Sequence, residues 1–182
     1  MNRRNGWSSV TGVRGAVIGF ILAGLLVTGG AVFAGWFFYC PCDFTPGGYL
    51  LGERVDQPVD DWSFANDVPL CQIQVSALLP HSVNLNCMAT ASGELYLSCS
   101  QCEGKRWSGV ALDNGEGRIR IDGRVYPVMV SHITDAAQKD RAWQARLEKL
   151  QHFDVPGSGS PLGTPRPSDE QWWTFRVVST VD

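Results

Sequence analysis

The sequence lacks the short motifs that mark hydrolytic and nucleotide-binding sites. It has no H-E-x-x-H, no G-x-S-x-G elbow, no P-loop and no paired-carboxylate constellation. Hydrolase readings are set aside on that ground. Histidine is scarce: His81, His132 and His152 are dispersed without metal-ligand spacing and read as structural or surface residues. Positive charge is also short. Of 15 Lys+Arg, Arg3, Arg4 and Arg14 precede a long apolar run, which leaves 12 cations against 18 acids beyond it, a net of −6. That balance excludes nucleic acid as an expected partner and gives no reason to expect the domain to lie on an anionic lipid surface. No internal repeat is present.

What the chain does have is hydrophobic length near its start. Gly15 to Tyr39 is uncharged over 25 residues, longer than the roughly 20 needed to cross a bilayer core. Val32-Phe33-Ala34 could be read as a signal-cleavage site, but Trp36, Phe37, Phe38 and Tyr39 continue the apolar run as an aromatic girdle, so a retained anchor is expected. Phe37-Phe38-Tyr39 before Cys40 lacks the small residue of a lipidation site. The three arginines before the run, against Asp43 and Glu53 after it, place the N-terminus in the cytoplasm and the rest outside. The expected location is a bacterial inner membrane, crossed once, with a periplasmic C-terminal domain. Gly15, Gly19 and Ala23 recur at intervals of four and offer a face to another membrane helix.

The expected organisation is a tail over 1–14, the span over 15–39, an extended Pro/Gly/Asp-rich linker over 40–61 and one domain over 62–182. In that domain Cys71–Leu79, Val83–Thr90 and Glu94–Ser98 read as strands. RIRI (Arg118–Ile121), Asp122-Gly123 and Arg124–Thr134 read as a tight hairpin, and Gln171–Thr180 as a closing strand. Asp61 is placed to cap a short turn whose Trp62 and Phe64 cover the sheet. Thr134 is placed as N-cap of one surface helix, Asp135–Leu150, with Ala136, Trp143, Leu147 and Leu150 on its apolar stripe. The Pro/Gly/Ser loop over 154–169 is expected to be exposed and flexible. About six short antiparallel strands with one helix argue for a mainly β fold, a small barrel or strongly curled sheet, because closure removes exposed edges.

Six cysteines in a domain expected to face an oxidising space suggest disulfides. Cys71 and Cys87 fall on apolar strand faces, and a short turn centred near His81 would put Val75 opposite Cys87, so these two are expected as buried free thiols. Cys40-x-Cys42 and Cys99-x-x-Cys102 leave three alternatives open: short-range disulfides, a four-thiolate zinc or iron-sulfur site, or an exchanging dithiol favoured by Lys105 and Arg106.

From about Trp62 onward the order of pieces resembles the split β-barrel of the pyridoxamine 5′-phosphate oxidase-like superfamily, in a membrane-anchored branch. The likeness is carried by the strand Val83–Thr90, Gly93-Glu94-Leu95-Tyr96-Leu97-Ser98, Lys105-Arg106-Trp107, Ala111-Leu112-Asp113, Arg118–Gly123 with Tyr126-Pro127-Val128, Asp61–Phe64 and Trp173–Arg176. The resemblance implies a flavin or deazaflavin oxidoreductase, with FMN or a related cofactor held by Lys105 and Arg106 on its phosphate and Ser98 and Trp107 beside them. Arg supplies a bidentate fork and Lys a point charge, both suited to phosphate oxygens. The sequence departs from the family where a further Arg and Lys are usual: Ser82 and Cys87-Met88 stand there. The resemblance also implies a homodimer, with the ligand groove between subunits. The alternative is a non-catalytic accessory subunit, without cofactor, that uses a degenerate barrel in a larger membrane complex.

Overall fold

The computed structural model describes residues 8–153 and 160–180. The chain divides into two compact units between Phe37 and Phe38. The described part of the first is helical and belongs to α1 (Ser8–Tyr39), whose last two residues fall in the second. Within α1, Ala16–Tyr39, of mean hydropathy 2.3, is long and apolar enough to cross a membrane. The helix reaches back to Ser8, so the second half of the expected tail is helical, while the expectation for residues 1–7 lies outside the described residues.

The second unit is built on seven strands: β1 (Glu53–Arg54), β2 (Cys71–Val75), β3 (His81–Ala89), β4 (Leu95–Ser100), β5 (Glu116–Ile121), β6 (Arg124–His132) and β7 (Trp172–Ser179). The order β6-β5-β2-β3-β4-β7 is antiparallel throughout, and β6 also pairs with β7, so these six strands close into a barrel. The short β1 adds in parallel to the start of β6. Period-two alternation sends Leu95, Leu97 and Cys99 of β4 into the main core with Ile73, Val75, Ile119, Ile121, Val128 and Phe175. Asp122 (φ 48°) and Gly123 (φ 77°) make the left-handed turn that their residue types favour between β5 and β6.

Two helices flank the barrel. The helix α3 (Ala136–Leu150) covers a second cluster of Met88, Tyr96, Ile133, Ala142 and Ala145. Its cap is Asp135, whose carboxylate accepts from the Gln138 N–H at 2.8 Å; Thr134 is not the cap, and Ala136 is exposed. The other, α2 (Arg106–Asp113), is a second helix where the sequence points to only one, Asp135–Leu150. Asp61 does hold the turn it was expected to hold, accepting from the Ser63 N–H at 2.9 Å, and Trp62 packs edge-on to Tyr126.

Four further expectations are corrected. β2 ends at Val75, and Leu78 and Leu79 are exposed instead of continuing the strand. The hairpin from β2 to β3 turns at Leu78, with Val75 opposite His81 and Cys71 opposite Leu85. Cys87 is thereby a diagonal neighbour of Cys71 on the same face, and the two form a disulfide with Cα atoms 5.7 Å apart. The part of the 154–169 loop that is described is not free: the Trp143 indole N–H donates to the Thr164 carbonyl, and Lys139 and Arg166 both engage Asp169.

The fourth concerns residues 40–61, which are not a spacer. Gly47 exchanges two backbone hydrogen bonds with Ser82, and the Leu50 N–H donates to the buried Gln74 amide oxygen at 2.8 Å. Gln72 and Asn84 donate to the Pro41 and Asp43 carbonyls, and the Val55 N–H donates to the Val125 carbonyl. Leu50 is wholly buried. The segment is a strap bound to the outside of β2, β3 and β6, and it begins at Cys40, directly after α1.

Candidate functional site

Three pieces meet at a groove of about 330 Å³: the strap tip Asp43–Pro46, the start of β3 from His81 to Leu85, and the start of α2 at Lys105, Arg106 and Trp107. Each piece is fixed locally. The strap tip is closed by paired backbone bonds between Cys42 and Thr45 and by a Cys40–Cys42 disulfide. The first turn of α2 is fixed by a Cys99–Cys102 disulfide, by Gly104 at φ 76°, and by the Ser108 hydroxyl, which donates to the Cys102 carbonyl at 2.7 Å. Trp107 is buried with its ring 5.0 Å from that of Phe175. With Trp107 anchored inward, its neighbours Lys105 and Arg106 are left exposed at the groove.

The Lys105 ammonium donates to the Ser100 carbonyl at 2.8 Å and the Arg106 guanidinium to the Leu79 carbonyl at 3.3 Å. Among the described residues neither makes an ion pair with a carboxylate. One carbonyl uses one of three ammonium donors, or one of five on a guanidinium, so both retain capacity for an anion. His81 lines the same groove. Burial, then the adjacent Arg106 charge, holds its imidazole below the usual range, so it is neutral at pH 7. Asp43 lies on the strap wall, and the Phe44 ring beside it is fully exposed.

Of the four residues singled out for a cofactor, Lys105, Arg106 and Trp107 come together and Ser98 does not. Ser98 sits between Asn86 and Thr174, on the side of β4 shared with Tyr96, buried with its hydroxyl unpartnered. The four sulfurs weighed as metal ligands are paired within Cys40–Cys42 and Cys99–Cys102, and no metal-ligating cluster occurs among the described residues. His81, Asn84 and Phe44 belong to the groove and were not singled out in sequence. Nothing in the spacing of residues near 43 signals that this stretch lies over β3.

The comparisons with known proteins bear on the barrel. No family model matches the chain. No curated protein matches it either. Solved structures similar to it include a candidate pyridoxamine 5′-phosphate oxidase from Listeria innocua (12% identity, TM-score 0.44, 64% of this chain and 87% of that one). A second is the FAD binding protein from Mycobacterium smegmatis (15%, 0.43, 68% and 92%). A third is a NimC/NimA family protein from Clostridium acetobutylicum (13%, 0.40, 65% and 77%).

The residues present fit a phosphate and do not complete a flavin clamp. Ser82 is fully buried beneath the strap, with its hydroxyl unpartnered. Cys87 is in a disulfide and Met88 is buried against the α3 cluster. Neither place supplies the further cations that the family resemblance calls for, so the groove's positive charge is Lys105 and Arg106.

Proposed function

We propose that this protein is a single-pass, membrane-anchored barrel, facing an oxidising compartment, that binds a phosphate-bearing ligand in the groove at Lys105 and Arg106. The observation that carries this reading is the convergence of two cations without carboxylate partners on one groove with Asn84 and a neutral His81. The three disulfides support the oxidising side, and the arginine-rich start supports a cytoplasmic N-terminus, hence a periplasmic barrel in a bacterial inner membrane. FMN belongs to this ligand class and would bring electron-transfer chemistry if bound. The chain's own contribution is then to hold the phosphate.

The test is phosphorus analysis of full-length protein exchanged exhaustively into phosphate-free detergent, with the visible spectrum recorded in parallel. Wild type is expected to retain phosphorus that Lys105→Ala/Arg106→Ala lacks. Equal phosphorus in both overturns the reading, and a yellow wild type with a colourless variant assigns the ligand to the flavins.

A second reading, an accessory subunit of a larger membrane assembly, is favoured by the helix face bearing Gly15, Gly19 and Ala23. A side chain begun at Gly19 would meet nothing within 4 Å, so a partner helix could approach closely there. Co-purification of stoichiometric partner chains, lost on Gly19→Leu, is its expected mark.

A further inference from the structure

The groove is lined in part by residues that follow the apolar helix closely in the chain. Tyr39 ends the segment able to span a membrane, and Asp43 already lines the groove. The five residues from Tyr39 to Asp43 are not fully extended. The Cys40–Cys42 disulfide holds the two Cα atoms 4.5 Å apart. With consecutive Cα atoms about 3.8 Å apart, Asp43 lies within about 12 Å of Tyr39 along the chain. The interfacial layer of a bilayer is itself roughly 5–8 Å thick on each side. The strap is hydrogen-bonded to the barrel from Pro41 and Asp43 onward, so the chain is fixed to the groove wall within four residues of Tyr39.

The rim of the groove has the character of something immersed in that layer. Phe44, at the strap tip, has a side chain entirely exposed. Leu79 is more than half exposed, and its carbonyl is the one that accepts from Arg106. Two exposed apolar residues beside two cations form the pattern of an interfacial contact: apolar groups enter the acyl boundary and cations stay at headgroup depth. The charge also matches. Lys105 and Arg106 against the Asp43 carboxylate, with His81 neutral, leave one net positive charge at the groove. A phosphodiester whose headgroup has no amine carries one negative charge.

Resting on the reading of the groove as a phosphate site, we infer that its occupant is the headgroup of an anionic phospholipid in the outer half of the same membrane that anchors the chain. The net charge of −6 beyond the span opposes a general attraction to anionic lipid, which confines the contact to this groove. The anchor compensates for modest affinity, since a tethered groove meets lipid at high effective concentration.

The test is native mass spectrometry of the full-length chain released from nanodiscs of phosphatidylcholine mixed with phosphatidylglycerol, and from nanodiscs of phosphatidylcholine alone. Wild type is expected to retain phosphatidylglycerol in preference to phosphatidylcholine. Lys105→Ala/Arg106→Ala should retain about thirtyfold less, from about 1 kcal/mol for each cation at an anionic surface. Phe44→Ser leaves both cations in place and should also lower retention. For all variants, the non-reduced mass shows whether the three disulfides have formed. In a parallel arm, detergent-solubilised protein is offered FMN and inorganic phosphate. Retention of phosphatidylglycerol unchanged by these substitutions overturns the inference. Phosphate or FMN held through Lys105 and Arg106 without selective lipid retention overturns it while leaving the phosphate groove standing. No adduct of any kind removes both.

Discussion

Lys105 and Lys149 both aim an ammonium at backbone carbonyls, from two different helices. Lys105 reaches the Ser100 carbonyl at 2.8 Å from an exposed position at the start of α2. Lys149, near the end of α3, reaches the carbonyls of Ala65 and Cys87 at 2.7 and 2.6 Å, with the Cys87 sulfur 3.4 Å away, and is only 5% exposed. In water the first contact costs little to exchange, so the cation stays available to a ligand. The second is made where water cannot replace it, so it ties α3 to the 3₁₀ turn over Ser63–Asp67 and to β3. Burial, not the type of contact, separates a cation that can bind something from one that holds the fold.

The sharpest way to break that contrast is pH. Burial pushes the Lys149 ammonium down to about 8, with the nearby Asp67 charge pulling the other way. Its folded value lies below the unfolded one of 10.5. Between the two the unfolded chain keeps a proton that the folded chain has released, so raising the pH favours folding. The penalty is fully present below about pH 8. A neutral amine still has two N–H donors, enough for both carbonyls. Wild-type stability, measured by urea titration, is therefore expected to gain up to about 3 kcal/mol relative to Lys149→Met as pH rises from 8 towards 10.5. A constant difference across that range would show that Lys149 is not desolvated in solution.

The disulfides repeat the contrast on a smaller scale. Cys71–Cys87 joins residues 16 apart beside Lys149, whereas Cys99–Cys102 joins residues three apart beneath Lys105. Closing the longer loop removes more disorder from the unfolded chain, about 3 kcal/mol against about 2. Cys71→Ala/Cys87→Ala should therefore lose about 1 kcal/mol more than Cys99→Ala/Cys102→Ala in the same titration. Reversal of that order would mean that the shorter loop stabilises α2 by more than its closure entropy.

The barrel was legible because its signals are local. Val83–Thr90 alternates, and Asp122-Gly123 specifies its own turn. What stayed hidden depends on partners distant in sequence. The strap has no period to read, since its bonds go from Gly47 to Ser82 and from Leu50 to Gln74. The Cys71–Cys87 pair was missed through register: a turn at Leu78 instead of His81 slides the two strands past each other by six residues and makes diagonal neighbours of positions judged too far apart. The helix α2 is eight residues long with Gly109 inside it, too short for a helical period to show. Lys105, Arg106 and Trp107 were found because they are adjacent in sequence, whereas Phe44 reaches the groove through the strap and His81 and Asn84 through β3.

The smallest expected effect sharpens the comparison most. If Lys105 and Arg106 are held only by water-accessible carbonyl contacts, removing both should change unfolding free energy by no more than about 0.5 kcal/mol, the range of ordinary surface substitutions. The same double variant is the one expected to lose the bound phosphate. A residue pair that contributes nothing to the fold and everything to ligand retention has a role other than packing. If Lys105→Ala/Arg106→Ala instead unfolded at clearly lower urea than wild type, the carbonyls of Ser100 and Leu79 would be what the two cations serve. The groove would then be a by-product of closing the first turn of α2 against the turn at Leu78.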